Sequence, residues 1–351
     1  MKMKIGVFVV LLLMIGTALL YTYSDPIGAK ATALQKVELA LLKKPIWAIQ
    51  PDEGQILQWD AIHHSFQQKY KLDGVPLTVA EISLNEQWIA MHSKNDIEGT
   101  RIVFCKGGKC STEELQIKLK GIDQLVAAGS NVFARSGELS ATMEHQIAVL
   151  DTGLSHSKRI VSVPGVVQQI VAYNRNDVLM FSLRAADGER LLWHFDDQRN
   201  QLHAISIGQV QGFKPSYIQF DQIHQTLLSV WVSSENTEEW YVQKDRLSED
   251  TLHRISQSDI QTGLVQSVAM SNERGIIAIA LGSAKTFAVD FIELEHMKKV
   301  RTQVVEITPA KIQATPECLF VSNDEQSNQQ CLSWDQENVY QMISSDQLLW
   351  F

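Results

Sequence analysis

Residues 268–294 read VAMSNERGIIAIALGSAKTFAVDFIEL. Three apolar runs of five to eight residues are divided by Asn-Glu-Arg-Gly and Gly-Ser-Ala-Lys, and the third run ends in an aspartate, Asp290. Runs this short, rich in β-branched and aromatic residues and bounded by turn formers, are strands rather than helices. The same third run recurs along the chain. ILQWD ends at Asp60, IAVLD at Asp151, LLWHFD at Asp196, WYVQKD at Asp245 and CLSWD at Asp335, and RIVFC, ending at Cys105, fills the one gap. From Asp60 onward the steps are 45, 46, 45, 49, 45 and 45 residues.

A period of this length marks a repeat architecture. In six of the seven units the residues one and three places before the landmark are apolar, as in Phe195/Trp193 and Trp334/Leu332; Lys244 breaks the pattern. The intervening position is more polar, at Gln58, His194, Gln243 and Ser333, which predicts sheets buried on one face. Each unit carries further strands. A first strand is legible at 77–84, 121–129, 166–173, 216–220 and 264–271. A second is legible at 88–93, 131–136, 177–183, 226–234, 275–283 and 318–322. A fourth is legible at 115–120, 158–163, 201–207 and 300–307. Four antiparallel strands every ~45 residues, seven times over, predict an all-β fold, a seven-bladed β-propeller of four-stranded blades spanning 36–351. Either KVELALL, near the N-terminus, or the C-terminal QLLWF closes the ring. The aspartate at each strand end is expected to accept a hydrogen bond from an amide two residues on and so shape the next turn.

The Trp-Asp dipeptides at 59–60 and 334–335 close third strands as they do in WD-repeat propellers, which the chain resembles, and its units are similar to those of bacterial periplasmic propellers. The likeness covers residues 36–351 and is one of fold; the Gly-His element usual in WD repeats is absent. It implies the architecture and no particular role, because propellers host unrelated functions.

The four cysteines extend the pattern. In Cys105-Lys-Gly-Gly-Lys-Cys110 the two glycines suit a two-residue turn, which puts the cysteines at a non-hydrogen-bonded pair within disulfide reach. Half a zinc site and a redox pair are the competing readings; no second ligand cluster and no C-x-x-C accompany them. Cys318 and Cys331 are expected opposite one another in the last blade. Two disulfides, Cys105–Cys110 and Cys318–Cys331, require an oxidising compartment, and the N-terminus agrees. Met1-Lys-Met-Lys4 precedes an uncharged run, Ile5–Tyr21, read as a hydrophobic helix. Residues 1–23 are then a signal anchor or a cleaved signal peptide, and 24–35 a linker. This predicts inner-membrane anchoring through residues 5–21, with the propeller in the periplasm.

The net charge of −9 over 351 residues argues against nucleic acid as a partner. Loops joining second to third strands carry Asp52 and Glu53; Asp96 and Glu98; Glu138 and Glu144; Asp187 and Glu189; Glu235, Glu238 and Glu239; and Asp324 and Glu325. A propeller puts these loops on one face, so an acidic rim is expected, suited to a basic partner. The histidines are scattered, and no hydrolase, metalloprotease, calcium or phosphate-loop motif is present, so no catalytic residue, metal or cofactor is assigned. First strands, which line a propeller's channel, carry Glu81, Gln168, Gln169, Gln219 and Gln266. The favoured expectation is a protein-binding scaffold of the cell envelope. The alternatives are a channel-centred hydrolase or lyase acting on a sugar or small ester, and a ligand sensor working through a membrane partner.

Overall fold

A computed structural model describes residues 47–350 apart from short stretches mostly between strands, among them 51–52, 61–64, 72–76, 83–88, 107–108, 283–286, 324–328, 336–338 and 343–348. The expected N-terminal helix, the linker and the membrane segment at 5–21 lie outside the described residues. Among the described residues no helix is long and apolar enough to cross a membrane.

The described chain forms seven antiparallel sheets, each with a path of four strands, and consecutive sheets follow one another in sequence. Blade 2 runs Leu77–Ile82, Ile89–Ser93, Arg101–Lys106 and Lys109–Glu114. Blade 4 runs Val166–Ala172, Val178–Leu183, Arg190–Asp196 and Gln201–Ile205. Blade 5 runs Phe213–Asp221, Thr226–Ser233, Glu239–Ser248 and Thr251–Gln257. Blade 1 is composite. Its second to fourth strands are Trp47–Gln50, Gln55–Asp60 and Ser65–Lys71, and Leu349–Trp350 supplies the first, with Ala48 opposite Trp350 and Ile49 opposite Leu349. The C-terminal segment therefore closes the ring.

The one-sided burial read from alternation is corrected by the structure. Second strands are buried almost end to end, as in Val178–Leu183 and Ile276–Gly282, and Gln243, expected on a solvent face, is buried. The reason is that blades stack on one another, so both faces of each sheet are covered. The core lies between blades. Leu179, Phe181 and Leu192 of blade 4 pack on Ile218, Phe220 and Leu227 of blade 5; Val230, Trp240 and Val242 of blade 5 pack on Val268, Ile277 and Ile279 of blade 6. Each such side chain contributes about 1.5–3 kcal/mol by leaving water.

All seven landmarks mark third strands, but not always their ends. Asp245 and Asp290 lie three residues inside theirs, and Asp335 lies just past its strand. The turn-shaping role also shifts. Asp196 accepts from the Arg199 amide, three residues on, whereas Asp290 is drawn across to the fourth strand by Thr302 and Lys299. Asp221, closing a first strand, makes the turn instead, accepting from the amides of Ile223 and His224. The fourth strand of blade 2 is Lys109–Glu114 rather than 115–120. Because Gly107-Gly108 makes so short a connection, the outer strand begins at once, and Cys105 pairs with Cys110 as the sequence implies. The Cys318–Cys331 disulfide is present, but its partners are not opposite: Cys318 faces Ser333 and Cys331 faces Phe320. The bridge is diagonal, its Cα atoms 5.8 Å apart, well inside the disulfide range.

Two devices join the blades. A single residue, Gly165, separates the last strand of blade 3 (His156–Pro164) from the first of blade 4. Its φ is +83°, and a Cβ there would meet the Leu183 carbonyl oxygen at 2.6 Å, so only glycine fits. First strands also carry a recurrent bulge. The register skips Thr78, Asp123, Gln168, Ser216 and Gln266 in blades 2 to 6. A bulge increases local twist and re-aims the backbone, and here it does so at the same depth in five consecutive blades.

Candidate acidic face and inter-blade cleft

In an antiparallel blade, the loops from second to third strand and from fourth strand to the next blade emerge on one face. The described members of the predicted acidic set fall there, and the structure treats them unequally. Asp52, Asp324 and Glu325 lie outside the described residues. Glu53 accepts from the Gln55 amide group. Asp96 caps its loop, accepting from the Arg101 amide at 2.8 Å and the Thr100 hydroxyl. Glu98 pairs with Lys118, and Glu138 with Lys120 at 3.4 Å; both lysines come from the loop entering blade 3. Arg184 takes both acids of blade 4, Asp187 at 2.6 Å and Glu189. Its guanidinium, with the Glu189 amide, holds the Asp187 carboxyl down at about 2.

Glu144 of blade 3 and blade 5's Glu235, Glu238 and Glu239 are different: among the described residues none has a cationic partner. Asn236 organises the blade 5 loop, donating to Glu239 and accepting from the Glu238 amide. Beside it runs an added two-residue strand, Gln261–Thr262, paired to Glu239 and Trp240. Its flanking side chains, Ile260 and Leu264, are 56% and 40% exposed. The rim is thus neutralised over blades 2 and 4 and concentrated at blade 5, next to exposed apolar side chains.

On the other side of the blade 5 loop, between blades 4 and 5, a cleft of about 570 Å³ opens on the same face. Its walls are Gly188–Arg190, Ile207–Gly208 and 210–212 of the inter-blade connection, Phe213–Pro215, Trp231 and Ser234. Trp231 stacks on Tyr241, against which Phe213 packs edge-on at 5.1 Å, and the Trp231 indole donates to the Ser229 hydroxyl at 2.8 Å. Arg190 opens the third strand of blade 4 two residues before Leu192, so both lie on the strand face turned to blade 5. Its Nε is buried and has no acceptor in the described protein, and burial pushes its pKa down. The guanidinium nonetheless stays charged.

Two of the expected channel residues turn out to be fasteners. Gln169 accepts from the Ile218 amide of the next blade at 2.8 Å, and Gln219 donates to the Val268 carbonyl of the blade after. Arg135 holds Asp123 through two hydrogen bonds and donates onward to the Val167 carbonyl. The one cluster of three metal-ligating side chains among the described residues, Glu293, Glu295 and His296, lies in an outer hairpin of blade 6, away from the channel. There the Glu293 carboxylate is occupied capping the turn amides. The sequence reading did not include the cleft or Arg190, because the cleft's walls come from three separate segments, 188–190, 207–215 and 231–234, that only the ring brings together.

No family profile and no curated protein matches the chain. Solved structures do. A putative 6-phosphogluconolactonase from Bacteroides uniformis aligns at 11% identity over 88% of this chain and 97% of its own, with a TM-score of 0.57. The β-propeller domain of Cps50 (Swd1) from Myceliophteria thermophila aligns at 10% identity over 86% and 94%, TM-score 0.54. Sqt1 of Saccharomyces cerevisiae aligns at 9% identity over 85% and 81%, TM-score 0.54. At such identities the likeness is one of fold. The chain is an all-β seven-bladed propeller that resembles WD-repeat propellers, and its two disulfides suit folding in an oxidising compartment.

Proposed function

We propose that this protein is a non-enzymatic binding scaffold of the cell envelope, held to the inner membrane by residues 5–21 and presenting its acidic face to a basic partner. The observation that carries the reading is the lip of blade 5. There Glu235, Glu238 and Glu239 lack cationic partners among the described residues and adjoin the exposed Ile260 and Leu264. Charge without a local partner steers an oppositely charged surface, and an apolar neighbour supplies the contact that persists once the surfaces meet. The uncharged run behind Met1-Lys-Met-Lys4 and the oxidised cysteines support export and anchoring.

The test is titration of the full-length protein with a Lys/Arg-rich peptide carrying apolar residues, at about 50 and 200 mM salt. Affinity is expected to fall at the higher salt, where the Debye length shortens, and to be lost in a Glu235→Gln, Glu238→Gln, Glu239→Gln variant. Binding indifferent to both changes would remove the basis of the proposal.

A further inference from the structure

We infer that the cleft between blades 4 and 5 is a binding site for a small organic acid: a single carboxylate on a flat, largely apolar body. The anchor is Arg190. It lines the cleft from the start of a third strand, and its guanidinium has no acceptor among the described residues. The Nε–H is closed off from solvent, so the terminal Nη groups are the donors a ligand reaches, and a guanidinium edge offers the parallel pair of N–H groups that a carboxylate accepts. Lys214 stands on the opposite wall, exposed and with no carboxylate partner among the described residues. The one acid lining the cleft, Glu189, is engaged by Arg184. Counting Glu189, Arg190 and Lys214, the lining carries a net +1 within an otherwise acidic face, which matches a monoanion better than a doubly charged phosphate.

The rest of the lining selects the body of the ligand. Phe213 and the edge of Trp231 form an aromatic wall braced by Tyr241, and Ile207, Val210 and Pro215 add aliphatic surface. A volume of about 570 Å³ lies within the ordinary range of small-molecule sites. Such a lining of apolar side chains with few convergent charged groups is what sites of that class present. The inference stands apart from the scaffold proposal, since it uses none of Glu235, Glu238 or Glu239.

Isothermal titration and thermal-shift measurements on the full-length protein test it, with 3-phenylpropionate as probe, 3-phenylpropanamide as its uncharged counterpart and inorganic phosphate as the small dianion. The acid is expected to bind saturably, to raise the unfolding midpoint and to alter a tryptophan emission component that Trp231→Phe removes. The amide and phosphate are expected to bind at least tenfold more weakly. Arg190→Met should lower affinity for the acid about tenfold or more, with Arg190→Lys intermediate, while the blade 5 triple glutamine variant leaves it intact. Failure of the acid to bind, equal binding of acid and amide, tighter binding of phosphate, or full affinity in a folded Arg190→Met protein would each overturn the assignment. The comparison of acid with amide uses the unaltered protein, so it holds even if an Arg190 variant does not fold.

Discussion

His145 sits where blade 3 hands the chain to blade 4. It is buried, and its Nδ1 accepts from the Val167 amide at 3.0 Å. Burial first, and the Arg135 guanidinium second, hold its pKa below the ordinary imidazole value, with Asp123 pulling the other way. The folded imidazole is therefore neutral at a pH where the unfolded chain already takes a proton. Stability must then fall as the pH drops through about 6.5 and stop falling only below the depressed folded value. Chemical denaturation at pH 7.5 and 5.5 should show a larger loss in the wild type than in His145→Gln, which cannot gain the proton. An equal loss in both would mean that other groups govern the acid limb. Nothing in the sequence around His145 announces this role. It depends on a backbone amide 22 positions away, reachable only because Gly165 turns the chain within one residue.

At the scale of the element, the two disulfides are unlike in what they constrain. Cys105–Cys110 joins residues 5 apart across a hairpin that two glycines already favour, and Cys318–Cys331 joins residues 13 apart in blade 7. Chain-entropy arguments assign about 2 kcal/mol to the smaller ring and about 3 kcal/mol to the larger. Replacing both cysteines of the second pair by serine should therefore lower the thermal midpoint more than replacing both of the first, as followed by circular dichroism; the reverse order would count against the ring-size account. Both pairings were legible from spacing and turn chemistry. The diagonal offset of the second was not, because register across the six-residue connection 323–328 is set by packing of Leu319 and Leu332 into the blade 6–7 core rather than by the connection itself. The bulges were likewise hidden: a skipped residue leaves the run of strand-forming residues unbroken and shows only as a lost pairing.

For the molecule as a whole, the ~45-residue step was readable because every blade must present the same third strand to the same pair of neighbours, and the aspartate or cysteine there recurs with it. What the period does not encode is anything made jointly by two blades, and the cleft at Arg190 is of that kind. The period also left open which terminus seals the ring. That seal is slight, two residues of Leu349–Trp350 against Ala48 and Ile49, yet without it the edge of Trp47–Gln50 is left unpaired. Deleting residues 343–351 should lower the unfolding midpoint and make blade 1 the earliest site of limited proteolysis. Proteolysis that begins in another blade would show that the seal carries little.

The seal also sets a schedule. A chain is made from its N-terminus, so blade 1 receives three of its strands first and its innermost strand last. The circle stays an open arc until Leu349–Trp350 has emerged from the ribosome. A prematurely terminated copy would carry its own mark for destruction: an unmated strand near the start of the fold, exposed to any protease that patrols the compartment.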